Sequence, residues 1–462
     1  MKLLEAFLSI STEITPMFSQ ERTARRATRL LLSNLLCIGR HWITRMLCAT
    51  NRDQLDWSAD YRLFSRSPWK TQDLFEPALR RSLEYVGKDE VICIAGDETK
   101  IKRAGRKVKR SRWMRDPLSP PFHTNFIKGI RIIQFAVTLP LHRVAGVTAR
   151  AIPVFFEPVE SLEKPKKKAS KEEWKAYNQE KKKNTMCDQS VEHMRSLRKA
   201  FDVAGAAANV LLFSLDGGFC NRKVFMAKLE RCLVLARCRT DAKLCFAAND
   251  PDHPKKKYAD DKFTPESIRK DESIPYITGK FFIGGKYRKI RYKEVSHVLW
   301  QRGAGKKLLR LIVIAPIPYH LSPNSRANYR DPAYLLSDAN DMNLRKLIQA
   351  YIDRWEIEVN HRDEKQHLGV GDPQVWNDAS VDRLPAFIVA SYSFLLLASL
   401  NAYGAKRTNE YIQPPKWQRR RTRPSCQDLL ALLRKEAIEN PELLKSVDLS
   451  FEPSKACVKA AA

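Results

Sequence analysis

The sequence predicts a mixed α/β (α+β) protein: a mixed sheet flanked by helices, preceded by a helical region and interrupted by a β-rich insertion. Three observations carry this reading. Apolar runs of strand length recur between residues 91 and 237 and alternate with helical patterns. Two of those runs, VICIAGDET at 91–99 and NVLLFSLDGG at 209–218, close on acidic residues. Residues 242–320 change texture, with several β-type runs punctuated by Gly and Lys.

Taken in order, residues 20–90 read as helical. Arg22–Gly39 (RTARRATRLLLSNLLCIG) is amphipathic and basic, and a second stretch, His41–Cys48, follows the glycine. That pattern fits a helix-turn-helix and fits an ordinary helical bundle equally well. A strand is expected at 91–96, two more at 129–140 and 143–158 with a tight turn between, and a charge-dense loop or exposed helix at 163–183. A helix at about 188–204, a strand ending at Asp216, a helix at 221–231 and the strand LVLARCRT complete this part. Beyond the β-rich segment, 343–368 and 380–403 have helical periods, and the basic run QRRRTRP (418–424) precedes a short helix at 426–437. The expected domains are 1–88 (helical, with the candidate DNA-binding helix-turn-helix), 89–240 and 336–404 (two α/β parts of one core), 241–335 (β-rich insertion) and 405–462 (basic tail and helix).

Lys and Arg number 82 against 52 Asp and Glu, a formal net charge of +30. A field of that sign favours a polyanionic partner, nucleic acid before all others. The ten cysteines form no CxxC pair and no zinc-type Cys/His spacing, so they are expected to be reduced core thiols. The longest apolar stretch, Leu384–Leu400, falls short of a comfortable span of about 20 residues and reads as a buried core helix, not a membrane crossing. No leader is expected at the N-terminus, where Glu5 and Glu13 interrupt a short apolar run.

The chemistry concentrates in three places. A carboxylate at the end of a buried strand is costly unless a metal or hydrogen bonds compensate it, which singles out Asp97 and Asp216. The third is the segment YIDRWEIEVNHRDEK. On a single helix at about 100° per residue, Tyr351, Arg354, Glu358 and Lys365 fall within about 60° of arc, beside an apolar face that includes Ile348, Ile352, Trp355 and Val359. Glu356 falls about 160° from Glu358 on the same wheel, which favours Glu358 as the inward glutamate. By itself the segment also reads as an amphipathic helix with an Arg354–Glu358 surface pair.

The spacing Tyr351-x2-Arg354-x3-Glu358-x6-Lys365 resembles the YREK signature of DDE transposases encoded by bacterial insertion sequences. LDGG at 215–218 resembles that family's second-Asp block, and GDET at 96–99, followed by KIKRAGRKVKR, its first-Asp block. Where relatives often have Asp-Asp-Thr, this chain has Asp97-Glu98-Thr99.

The resemblance implies an RNase H-like core, with the first Asp on the first strand, the second on or after the fourth, and the Glu on a later helix. The β-rich segment would then be the insertion between Asp216 and Glu358. It further implies that Asp97, Asp216 and Glu358 are catalytic and hold two Mg²⁺ ions, with Mn²⁺ as a substitute. The implied partners are double-stranded DNA (terminal inverted repeats and target) and a second copy when assembled on DNA ends, with no membrane, in the bacterial cytoplasm at the nucleoid.

Tyr351, Arg354 and Lys365 would grip phosphates. Trp300 would stack on an extruded base or, by the preferred reading, serve as a core tryptophan. Lys100, Lys102, Arg103, Arg106, Lys107 and Lys109 are phosphate contacts or solvated surface. Two readings compete with an active transposase: another RNase H-like nuclease, and a non-catalytic or domesticated DNA-binding derivative.

Overall fold

The computed structural model describes residues 2–103, 105, 108–116, 119–120, 122–249, 253, 255–322, 325–406 and 423–453. Helices α1 (Leu3–Thr12), α2 (Glu21–Leu36), α3 (Ile43–Ala49), α4 (Ser58–Ser65) and α5 (Glu76–Ser82) come first. Strands β1 (Ile92–Lys102), β2 (Arg112–Arg115) and β3 (Phe126–Leu139), the short helix α6 (Leu141–Ala145) and β4 (Arg150–Pro158) follow. Helices α7 (Lys171–Lys183) and α8 (Met186–Phe201) lead to β5 (Leu211–Leu215), α9 (Arg222–Phe225) and β6 (Cys232–Arg237). Next come α10 (Pro265–Lys270), β7 (Ile277–Ile283), β8 (Lys286–Leu299), β9 (Leu308–Ile314), β10 (Ile317–Tyr319), β11 (Asn328–Arg330) and β12 (Ala333–Ser337). Helices α11 (Leu344–Asp353), α12 (Glu356–Gln366), α13 (Asp378–Tyr403), α14 (Cys426–Glu439) and α15 (Pro441–Lys445) close the described chain.

The chain divides into two compact units. The first is Met1–Gly87, Asp97–Ser161 and Glu356–Ala462; the second is Lys88–Gly96 and Leu162–Trp355.

The first unit is organised around α13. Its run Leu384–Leu400 is buried throughout, against α1, α2, α4, α5 and β4. Among the described residues α13 is the helix long and apolar enough to cross a membrane, and its burial makes it the core helix the sequence suggested. Polar groups on this core are paired: the Asn34 amide donates to Ser391 Oγ at 2.9 Å, and the buried Arg29 reaches Asp60 at 2.9 Å. The basic helix of the sequence is therefore partly internal. It buries the face from Ala24 to Leu36 and spends Arg29 on an ion pair, while Arg22 and Arg25 stay exposed. On the sheet side β3 pairs antiparallel with β2 and β4 and lies next to β1. Gly129 permits that approach, since a Cβ there would lie 2.3 Å from the carbonyl oxygen of Ile101.

In the second unit the strand order is β1-β5-β6-β12-β9-β8-β7. β1, β5 and β6 are parallel; β12, β9, β8 and β7 continue antiparallel. Leu212, Leu235, Ile312, Ile314 and Leu335 of this sheet pack with Leu347 and Ile348 of α11. The β-rich segment thus extends the sheet that carries β5 and β6.

Several expectations are corrected. β1 does not end before Asp97; it runs on to Lys102, because its second half has a partner in β3. A four-residue strand, β2, precedes β3, so Asp216 follows the fifth strand in chain order. The turn between β3 and β4 contains α6, and the helix expected over 221–231 shortens to α9. The single helix expected over 343–368 is two helices, interrupted at Arg354 and Trp355. A continuous wheel across that interruption is invalid. Trp355, placed on the packed face by the wheel, is 55% exposed, and Glu356, placed outward, is buried.

Candidate active site

Asp97 sits inside β1, half-buried, with its Oδ1 accepting the Glu98 amide at 2.8 Å. The strand register fixes its neighbourhood. β1 and β5 run parallel with Gly96 opposite Leu215, and the residue that follows each of this pair is an aspartate, Asp97 and Asp216. Asp216 leaves β5 in extended backbone and immediately precedes the one-turn helix Gly217–Phe219. Its side chain is 45% exposed, and Arg354, itself buried, approaches its Oδ1 at 3.9 Å.

Glu358 lies in the first turn of α12 and is half-buried. Lys365, seven residues on, shares its face of that helix. The other faces of α12 are tied down by side chains from distant parts of the first unit. Arg423 pairs with Glu356 at 2.8 Å, and Asn360 donates to the Ala151 carbonyl at 3.0 Å. Tyr392 donates to Asp363 at 3.0 Å, and Gln134 donates to Glu364 at 2.7 Å. None of these anchors was visible in the sequence, because no local spacing links them. Arg423, Glu356, Asn360 and Asp363 also line a small polar cavity of about 110 Å³ together with Arg150 and Tyr392.

The charges around α12 are strongly perturbed. Lys365 falls below the ordinary lysine value through desolvation, opposed by the negative charges of Glu364 and Asp97. Burial raises Glu364 to about 8, against the lesser, opposite pull of the Gln134 hydrogen bond. A neutral Glu364 is held in the folded state where an unfolded chain would ionise it. The folded state therefore binds the extra proton between the unfolded glutamate value and about 8, and stability must fall as pH rises through that window. Glu364→Gln mimics the neutral form. In urea denaturation its midpoint is expected to exceed that of the unaltered protein by an amount that grows from pH 5 to pH 8 and then levels off. A difference independent of pH would refute the neutral assignment.

Of the other predicted contacts, Tyr351 is half-buried against the core cluster of the second unit. Lys100, on β1, donates to the Arg115 carbonyl at 3.0 Å. Arg103 is corrected from phosphate contact to internal anchor: it is buried, donates to the Gly371 carbonyl at 2.6 Å, and is lowered to about 10 by burial. Arg106 and Lys107 lie outside the described residues. Trp300 is half-buried beneath its own turn, edge-on to Phe225 with centroids 6.0 Å apart. Gly303 closes that turn, since a Cβ there would lie 2.1 Å from the indole.

Asp97 and Glu358 belong to the first unit and Asp216 to the second. Within neither unit, among the described residues, do three His, Cys, Asp or Glu side chains gather closely enough to hold a metal. The donor chemistry nevertheless suits hard divalent cations, since all three candidates offer carboxylate oxygens and none is fully buried.

A mixed sheet flanked by helices, with acidic residues following paired positions on parallel strands, places the chain among the α/β proteins. The chain belongs to the family described as DDE superfamily endonuclease, which it matches over residues 13–302. The fold is accordingly RNase H-like, and DNA is the substrate class. The matched span includes Asp97 and Asp216 and ends before Glu358. No curated protein matches the chain.

Proposed function

We propose that the chain is a DDE transposase of the YREK-signature group, with Asp97, Asp216 and Glu358 as its catalytic and metal-binding carboxylates. The observation that most supports this reading is the parallel register of β1 and β5, which makes Asp97 and Asp216 successive to a paired position. In the proposed reaction a water oxygen attacks a phosphorus at each transposon end. The P–O3′ bond breaks, and the departing oxygen takes a proton to become a free 3′-hydroxyl. That hydroxyl then attacks a phosphodiester of target DNA, forming one P–O bond and breaking another. Two Mg²⁺ ions, or Mn²⁺, when held by the three carboxylates, would supply activation of the attacking oxygen and stabilisation of the leaving one.

The protein's own groups have assigned parts. Arg354 beside Asp216 and Lys365 in the field of Asp97 balance the aspartate charges, and both offer cationic donors to a scissile phosphate. Tyr351 and Lys100 would hold flanking phosphates. Action on two transposon ends at the nucleoid makes a DNA-bound dimer the working form.

The test is strand cleavage of a terminal-repeat duplex with Mg²⁺. Asp97→Ala and Asp216→Ala are each expected to lower it by about a thousandfold, equivalent to several kcal/mol of lost transition-state stabilisation. Cleavage that survives both changes overturns the assignment. An unaltered protein that binds the duplex and never cleaves it would point to a non-catalytic derivative.

A further inference from the structure

β2 and the start of β3 form an antiparallel pair in which Trp113 opposes Lys128, Met114 opposes Ile127 and Arg115 opposes Phe126. Directly opposed residues share a face of the sheet, as do residues two apart on one strand. Trp113, Arg115, Phe126 and Lys128 therefore stand on one face, and Met114 and Ile127 on the other. Met114 is buried, so that second face packs inward. On the first face Trp113 is 69% exposed and Phe126 63%, and Phe122 in the connecting segment is 91% exposed.

A solvent-facing sheet surface ordinarily carries polar side chains. Here two large rings stand in water, each directly across the strand pair from a cation. We propose that this face is a stacking platform for an unpaired DNA strand. The charge is complementary: Arg115 and Lys128 alternate with the rings on that face. The rings select the unpaired form, because in a duplex the faces of the bases are already occupied by their neighbours, whereas an unpaired base offers its face to an aromatic side chain. The spacing agrees. Trp113 and Phe126 are diagonal neighbours, roughly 7 Å apart, which is about twice the 3.4 Å step of stacked bases and leaves room for one base between them.

The proposal rests on DNA as the substrate class and not on the carboxylate assignment, so it is tested without metal. The full chain in EDTA is titrated against a fluorescent oligo-dT of about 20 nucleotides and against a blunt duplex of the same length, by anisotropy. Trp113→Ala and Phe126→Ala are each expected to weaken oligo-dT binding by about tenfold, and duplex binding by less than about twofold. Trp113→Phe is expected to restore most of the loss. Arg115→Ala should weaken both, with a shallower salt dependence. The side chains are exposed, so the variants should keep their unfolding midpoints. Unchanged oligo-dT affinity in the Trp113→Ala/Phe126→Ala double variant overturns the proposal, as does an equal loss for oligo-dT and duplex. A change in sedimentation without a change in oligo-dT binding also overturns it and makes the face a contact between copies.

Discussion

Glu358→Gln is expected to lower Mg²⁺-dependent strand cleavage by about a thousandfold, while Glu356→Gln keeps cleavage within about tenfold at temperatures where the protein stays folded. The two residues are one helical turn-half apart and carry the same group, so the pair isolates position from chemistry. Glu358 is half-buried and shares its face of α12 with Lys365. Glu356 is buried and already committed to Arg423 at 2.8 Å. Glutamine preserves shape and one acceptor oxygen at either site, turns the other oxygen into an NH2 donor, and removes the charge that a cation would need. Equal losses at the two positions would show that the effect comes from disturbing α12. A larger loss at Glu356 would move the third carboxylate there.

Arg423→Ala is expected to cost the first unit about 3–5 kcal/mol, the range for leaving one member of a buried ion pair uncompensated. Its side chain is only 17% exposed and that of Glu356 only 9%, so water screens the pair little. The guanidinium also donates to the carbonyl of Ala149, just before β4, and that bond too would be lost. Urea denaturation followed by the first unit's transition measures the loss. Arg423→Ala combined with Glu356→Gln should recover part of it, because the stranded charge is gone. A loss below about 1 kcal/mol in the single variant would mean that α12 is held by its other anchors.

Much of the fold was legible because it is written in local pattern. β1, β5 and β6 are apolar runs of strand length, and α13 is an apolar run of helix length; burial follows directly from such runs. Asp97 and Asp216 were legible for the same reason, since each stands at the edge of such a run. The interruption between α11 and α12 was not. AYIDRWEIEV contains no proline or glycine, and the break falls at Arg354, which is buried and lies 3.9 Å from Asp216, a residue far away in sequence. Glu356 misled the wheel similarly: a buried carboxylate reads as a surface one until Arg423 is known. Trp113 and Phe126 gave no signal, because a four-residue strand is too short to show alternation against its basic surroundings.

The anchoring of α12 by Arg423 has a consequence for judging copies of such a gene. A frameshift or stop codon shortly after Tyr403 would leave Asp97, Asp216, Glu358 and the whole matched span 13–302 intact in the reading frame. The product would nonetheless lack the residue that neutralises Glu356, and with it a clamp on the helix bearing Glu358. A late truncation is then expected to loosen the helix that bears Glu358 although the three candidate carboxylates are still encoded. Intactness judged from those acidic residues alone would overlook that loss.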